Sequence, residues 1–268
     1  MTALGGRTFE WGNRVYVMGV VNVTPDSFSG DGRLDPEAAV AHGLRLVAEG
    51  ADILDVGGES TRPGHRPVSA EVELARVLPV VRRLAASAGV PISIDTSKLE
   101  VARAAVNAGA LIVNDVWGLQ RSPGIADLAA ERGCALVVMH NQAEARYDDL
   151  LGEVEAGLRR ALRRALKAGL LPERVIVDPG IGFAKSVEDN LAILRHLDRF
   201  KALGQPLLLG TSRKGFIGRM LGGLPPEDRV EGTAATVAAA VLRGADIVRV
   251  HDVLAMTRVV RIAEQLRA

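Results

Sequence analysis

One recurring pattern limits what this chain can fold into. An amphipathic stretch ends at glycine, and one or two residues later a short β-branched run begins that finishes in a polar residue. It occurs as EGADILDVGG from Glu49, NAGALIVNDV from Asn107, RGCALVVMHN from Arg132 and RGADIVRVHD from Arg243. The glycine suits the left-handed position that stops a helix. The run after it is too short, and too apolar on both faces, for anything but a buried parallel strand. VYVMGVV from Val15, VPISID from Val90, RVIVD from Arg174 and QPLLLG from Gln205 are similar runs without that approach. Between the eight lie Ala-rich or amphipathic segments such as PEAAVAHGLRLVAEG from Pro36 and GEVEAGLRRALRRALKAG from Gly152. Eight strand and helix units of roughly 30 residues each imply a parallel sheet, and eight is the number that closes into a barrel. The predicted fold is therefore α/β, a single-domain (β/α)8 TIM barrel over residues 1–268. An open doubly wound sheet competes with it, but no GxGxxG follows the first strand. RTFEWGNRVYV, from Arg7, reads as a short N-terminal hairpin turning at Gly12 and Asn13 and covering the closed end of the barrel.

Composition then narrows the partners. The 268 residues are 48% hydrophobic and 24% charged, which is globular. With 33 Lys and Arg against 32 Asp and Glu the formal charge is +1, so the cationic excess that neutralises nucleic-acid phosphates is missing. The longest weakly polar stretch, Thr233 to Leu242, falls far short of the roughly 18 to 20 residues of a membrane span. MTALGGRTFEWGNR at the N-terminus has no apolar segment of a signal peptide. Cys134 is the single cysteine and has no partner for an internal disulfide. These features predict a cytoplasmic protein that binds neither membrane nor nucleic acid.

Barrel chemistry gathers where the C-terminal ends of the strands meet the following loops. Those positions are Asn22, Asp55, Asp95, Asn114, His140, Asp178, the group Ser212, Arg213 and Lys214, and finally Arg249 and His251. Any one of the Asp or Asn residues is explained by capping of the next helix; together they predict a polar rim. Loops after strands 7 and 8 commonly hold phosphate in this architecture, and here they read GTSRKG and RVHD, so Lys214, Arg249 and His251 are expected around an anionic site. Two long glycine-rich loops, NVTPDSFSGDGR from Asn22 and GGESTRPGHRP from Gly57, are expected to be mobile covers. Asn22, Asp26 and Asp31 offer the hard oxygens Mg²⁺ prefers when diphosphate supplies its other ligands.

These residues lie in seven short motifs, one per strand end. They are MGVVNVTPDSFS from Met18, DVGGESTRPG from Asp55, SIDTSK from Ser93, NDVWG from Asn114, DPGIGF from Asp178, GTSRKGFIG from Gly210 and RVHDV from Arg249. In this order they resemble the dihydropteroate synthase family across nearly the whole chain. The resemblance implies a (β/α)8 barrel that joins 6-hydroxymethyl-7,8-dihydropterin diphosphate to 4-aminobenzoate in folate synthesis. Carried over by motif, it implies a pterin ring on Asp95, Asn114, Asp178 and Lys214, with Met139 and Arg249 at its faces. It implies diphosphate near Asn22, Thr61, Arg62, Arg249 and His251, Mg²⁺ on Asn22, and aminobenzoate between Lys214, Ser212, Pro63, Phe183 and Phe28. Lys214, Arg249, His251 and Asp95 are the residues it assigns to the reaction. The loop after His140, NQAEARYDDL, is shorter than the family's usual Met- and Pro-containing stretch.

The residue types suit that chemistry. A pterin presents an amino group and a ring N–H beside a carbonyl, which call for a carboxylate acceptor and a cationic donor such as Asp178 and Lys214. The aniline nitrogen of aminobenzoate is neutral at pH 7 and needs no strong base, whereas a leaving diphosphate needs charge neutralisation. Two other activities share the barrel. A pterin-binding methyltransferase module has no need of the STRPG and SRK motifs. A Schiff-base aldolase needs a buried lysine on a strand, and Lys185 is expected out in a loop; a metal-assisted aldolase and a noncatalytic pterin-binding barrel complete the alternatives. VEGTAATVAAAVLRG, from Val230, is small-sided all round and predicts a helix buried against both the barrel and a second subunit, a homodimer that the resemblance also favours.

Overall fold

A computed structural model of the chain describes residues 1–24, 35–60 and 67–267. Two short strands, β1 (Thr2–Leu4) and β2 (Arg7–Phe9), precede eight more: β3 (Tyr16–Asn22), β4 (Ile53–Gly57), β5 (Ile92–Asp95), β6 (Ile112–Asp115), β7 (Ala135–Met139), β8 (Val175–Asp178), β9 (Leu208–Leu209) and β10 (Ile247–Val250). The eight form one parallel sheet in the order β8-β7-β6-β5-β4-β3-β10-β9. A parallel bridge from Val177 to Leu207, with the Val177 N–H donating to the Pro206 carbonyl at 2.9 Å, joins the two outer strands. The sheet is thus a barrel, as the repeats predict. Each predicted run supplies one strand, and Gly50, Gly109, Gly133 and Gly244, which end the repeated helical stretches, all have positive φ.

Two apolar compartments follow from the two faces of the sheet. The outer one lies between strands and helices; the helix Leu150–Lys167, for example, turns Val154, Leu158, Ala161 and Ala165 inward at helical spacing. The inner one fills the lower barrel with Tyr16, Met18, Ile53, Ile112, Ala135, Val137, Ile176, Leu208 and Ile247. Side chains alternate along a strand, so the residue two positions further on shares the same interior face. That step leads from Ile53 to Asp55, Ile112 to Asn114, Val137 to Met139, Ile176 to Asp178, Ile247 to Arg249, and Ser93 to Asp95. The interior changes from aliphatic to charged in one layer, and this change places the site at the C-terminal end.

The N-terminal hairpin is present with a different turn from the expected one. β1 pairs antiparallel with β2, Thr2 opposite Phe9 and Leu4 opposite Arg7, so the chain reverses at Gly5 and Gly6, both at positive φ. Gly12 and Asn13 make only a local turn beyond it. Leu4 and Phe9 join the inner core, and Phe9 stacks on Trp11 (ring centroids 5.4 Å apart) and tilts against Tyr16 (4.8 Å). The hairpin therefore stoppers the end of the barrel opposite the charged layer.

Candidate active site

The centre of the charged layer is Arg249. Its Nε donates to Asp55 Oδ2 at 2.6 Å and its Nη2 to Asp95 Oδ2 at 2.9 Å; Asn114 Nδ2 donates to the same Asp55 oxygen at 3.0 Å. Strand register makes this possible: Asp55 lies beside Ser93, and Asp95 beside Asn114 on the next strand. Asp55 is fully buried. Burial pushes the Asp95 carboxyl up to about 7, against the opposing pull of Arg249. The sequence reading puts Arg249 at an anionic site; in the structure its charge is already matched by two carboxylates. Arg249 is therefore first a clamp that keeps Asp55 and Asp95 in place.

Asp178 ends β8 next to Met139 of β7. Its Oδ1 accepts from the Gly180 N–H at 2.7 Å, and its backbone carbonyl accepts from the His140 N–H at 2.9 Å. Burial raises its pKa to about 6, although the Gly180 bond and the Lys214 charge pull the other way. Lys214 has the inverse perturbation: burial and then Arg249 lower it to about 8, while Asp178 and Asp95 hold it up. Its Nζ stands 4.0 Å from the centre of the Phe183 ring. Asp95, Asn114, Met139, Asp178, Phe183, Lys214 and Arg249 thus occupy one end of one barrel, as the sequence reading has them.

Ser212 and His251 meet beside this group, with Oγ and Nδ1 3.0 Å apart and the His251 N–H donating to the same Oγ at 3.1 Å. Burial, with Arg249 and Arg213 nearby, lowers His251 to about 3, so it offers hydrogen bonds and no charge at pH 7. Arg213 takes the left-handed conformation (φ 57°). Its guanidinium forks onto Asp252, one arm at 2.9 Å, and its backbone N–H donates to Thr233 Oγ1 at 3.1 Å. Asp252, which opens the last helix, makes no side-chain cap bond to it and serves Arg213 instead. The helix after Lys214, Gly215–Met220, has six residues, so little helix dipole is available here and any anion must rely on side chains.

Asn22 ends β3, where a Cβ added at Gly57 would lie 3.8 Å from its amide oxygen and 3.5 Å from Asp95 Cβ, so the two side chains border the same spot on β4. Thr61, Arg62 and Pro63 in one loop, and Asp26, Phe28 and Asp31 in the other, lie outside the described residues. Two residues do more than their sequence positions imply. Asp55 organises Arg249 from inside the barrel. Lys185, expected out in the loop, is instead buried: only 7% of it is exposed, and its Nζ reaches the Phe183 carbonyl at 3.0 Å and His140 Nδ1 at 3.2 Å. The sequence signal for it is weak, since only the glycines of DPGIGFAKS hint that the loop folds back on itself.

Known proteins resemble this chain in sequence and in fold. The model of the family described as "Pterin binding enzyme" matches residues 18–251. The dihydropteroate synthase of Bacillus subtilis is 48% identical over 254 residues, covering 94% of this chain and 89% of that protein. A solved structure of Xanthomonas albilineans dihydropteroate synthase with 4-aminobenzoic acid superposes with a TM-score of 0.91 at 49% identity, covering 96% of this chain and 94% of the other. Another of that enzyme, in complex with 7,8-dihydropteroate, gives 0.88 at 47%, covering 96% and 95%. This chain belongs to the dihydropteroate synthase family of pterin-binding enzymes.

Proposed function

We propose that the chain is a transferase of folate biosynthesis. It condenses 6-hydroxymethyl-7,8-dihydropterin diphosphate with 4-aminobenzoate and releases 7,8-dihydropteroate and pyrophosphate. The observation that carries this is the set of Asp178 and Asn114, both buried, with the partly buried Asp95 and Lys214, above an apolar barrel floor. It offers a flat, partly apolar heterocycle acceptors on one edge and a cation on another. Asp178 accepts from the pterin amino group and ring N–H, Lys214 donates to the ring carbonyl side, and Met139 and Arg249 cover the faces. A lysine whose charge is this poorly solvated gains when a carbonyl or anion arrives, so its burial favours the bound state.

Diphosphate leaves first in this reading. The pterin cation that remains is stabilised by its own ring lone pairs and by the carboxylates of Asp95 and Asp178, and the neutral aniline nitrogen then attacks the exocyclic carbon and gives up one proton to solvent or to the departing pyrophosphate. No protein nucleophile and no covalent enzyme intermediate are required. Thr61, Arg62 and His251 hold the diphosphate, and Ser212, Phe183, Phe28 and Pro63 surround the aminobenzoate. The described residues contain no cluster of three or more acidic, His or Cys side chains able to cage a metal. A cation here would draw most of its ligands from phosphate and water, with Asn22 as the protein oxygen, a donor set that fits Mg²⁺. When bound, Mg²⁺ supplies charge neutralisation to the departing diphosphate.

The reading places the reaction in the cytoplasm; no described helix is long and apolar enough to cross a membrane. It also includes a homodimer. The helix Val230–Leu242 buries Thr233, Val237, Ala240 and Val241 on one side, while nearby Leu221, Leu242 and Leu254 remain exposed. To test the activity, the protein is incubated with the dihydropterin diphosphate, 4-aminobenzoate and Mg²⁺. Dihydropteroate and pyrophosphate are expected only when both organic substrates are present, and recovery of both substrates unchanged would refute the proposal.

A further inference from the structure

The loop from Asp178 to Ser186 is held differently along its length. At its start the ties are local or main-chain: Gly180 N–H to Asp178 Oδ1, His140 N–H to the Asp178 carbonyl, and Phe183 N–H to the Gly180 carbonyl at 3.1 Å. At its end, Ser186 and Asp189 form a reciprocal cap on the helix Val187–Arg195. The fully buried Asn190 accepts from the Gly182 N–H at 2.6 Å and donates to the Ser186 carbonyl at 2.6 Å. In the middle, two carbonyls are held by side chains alone. Phe183 O receives Lys185 Nζ at 3.0 Å, and Ala184 O receives the Tyr147 hydroxyl at 2.9 Å. Ala184 has φ 43°, a conformation that costs a non-glycine residue of order 1 kcal/mol or more and persists only where its surroundings enforce it.

What this middle segment carries is a wall of the site. The Phe183 ring faces Lys214 Nζ, and Gly182 lies so close beneath the Lys214 stem that an added Cβ would come within 2.8 Å of its Cδ. We infer that Lys185 is a positioning residue for the aminobenzoate half of the site: its ammonium, bridging the Phe183 carbonyl and His140 Nδ1, sets where the Phe183 ring stands against Lys214. Lys185 does not touch the reacting atoms and acts through Phe183. The inference rests on the function proposed above.

The surroundings of Lys185 fit that role. His140 is wedged against Gly157, where a Cβ would lie 2.6 Å from its Cδ2, and its ring tilts against Tyr147 at 6.1 Å. Burial, then the charge of Lys185, lowers His140 to about 3, so its ring is neutral and Nδ1 is free to accept from the ammonium. Lys185 is in turn lowered to about 7 by burial, with Asp178 and Asp189 opposing the shift. A neutral apolar side chain would avoid this desolvation but would leave the Phe183 carbonyl without its donor. The Asp178 carboxylate keeps its own tie to the Gly180 N–H without Lys185, whose charge is only one of several, after that of Lys214, that favour its ionised form. Removing the ammonium should therefore release Phe183 and spare the pterin edge.

The experiment compares wild type and Lys185→Met. Wild-type turnover of the two substrates is measured first; its absence would refute the proposed function and not this inference. In Lys185→Met the KM for 4-aminobenzoate is expected to rise tenfold or more. The Kd for 6-hydroxymethylpterin, by calorimetry, should change less than threefold. The melting temperature should stay within a few degrees, because lost hydrogen bonds are offset by relief of a buried charge. Equal losses for both ligands, or an unchanged aminobenzoate KM, would overturn the inference. If Lys185→Met does not fold, Lys185→Gln and Tyr147→Phe carry the same comparison, Tyr147→Phe cutting only the Ala184 tie and raising the aminobenzoate KM about threefold. Both variants with wild-type KM values would again overturn it.

Discussion

Asp178 and Arg249 show how one buried residue serves both fold and chemistry. The Asp178 carboxylate is expected to take two hydrogen bonds from the pterin. Asn has the same shape, but its NH₂ would face one of those donors and leave a buried group unsatisfied, at roughly 1 to 3 kcal/mol. Asp178→Asn should therefore weaken pterin binding about tenfold to a hundredfold, with little change in melting temperature; calorimetry reads the first and thermal denaturation the second. Because burial holds the Asp178 pKa at about 6, pterin affinity should fall about tenfold per unit below that pH as the carboxylate is protonated, and fall again above about 8 as Lys214 loses its proton. The sign is opposite for folding. A raised carboxyl pKa means the folded state binds its proton more tightly, so the Asp178 contribution to stability improves from pH 6 towards 4. Asp178→Asn should abolish the acid step in binding, and an acid step that survives it belongs to another group. Arg249→Met would leave Asp55 and Asp95 buried without their cation, and urea unfolding should show a loss of about 3 to 5 kcal/mol.

Elements explain which of these residues the sequence made legible. Asp95, Asn114, Asp178 and Arg249 could be read because each stands two residues after an interior position of a short strand, and a parallel barrel brings such positions to one end. The Arg249 clamp could not, since it depends on register between strands nearly two hundred residues apart. Lys185 was hidden for a related reason: its position says loop, and only a loop folded back over His140 turns the side chain inward. Gly5–Gly6 and Gly12–Asn13 both suit a two-residue turn, and packing of Leu4 and Phe9 into the barrel end decides for a reversal at Gly5–Gly6. The loop after β8 yields a prediction of its own. Gly180 has φ 75°, and a Cβ there would lie 2.0 Å from the His140 carbonyl oxygen, a backbone atom held in place by neighbouring strands. Gly180→Ala should displace the Asp178 anchor, costing about 1 to 3 kcal/mol in urea unfolding and most of the pterin affinity by calorimetry.

For the whole molecule, the division of the barrel interior into an aliphatic floor and a charged rim joins fold to function. The hairpin seals one end, and the charged rim lies at the other, where β3 and β4 finish at Asn22 and Gly57. Sedimentation at micromolar concentration should show a dimer, with the helix Val230–Leu242 in the interface; a monomer would count against that assignment. The central claim, condensation with loss of pyrophosphate, is tested most directly by a single-turnover experiment with enzyme in excess over dihydropterin diphosphate labelled in its terminal phosphate. 4-Aminobenzoate and Mg²⁺ are present, and the intact protein mass is followed in parallel. The account predicts one labelled pyrophosphate per dihydropteroate, on one time course, with no mass added to the protein. Labelled orthophosphate in place of pyrophosphate, or a pterin adduct on the chain, would contradict it.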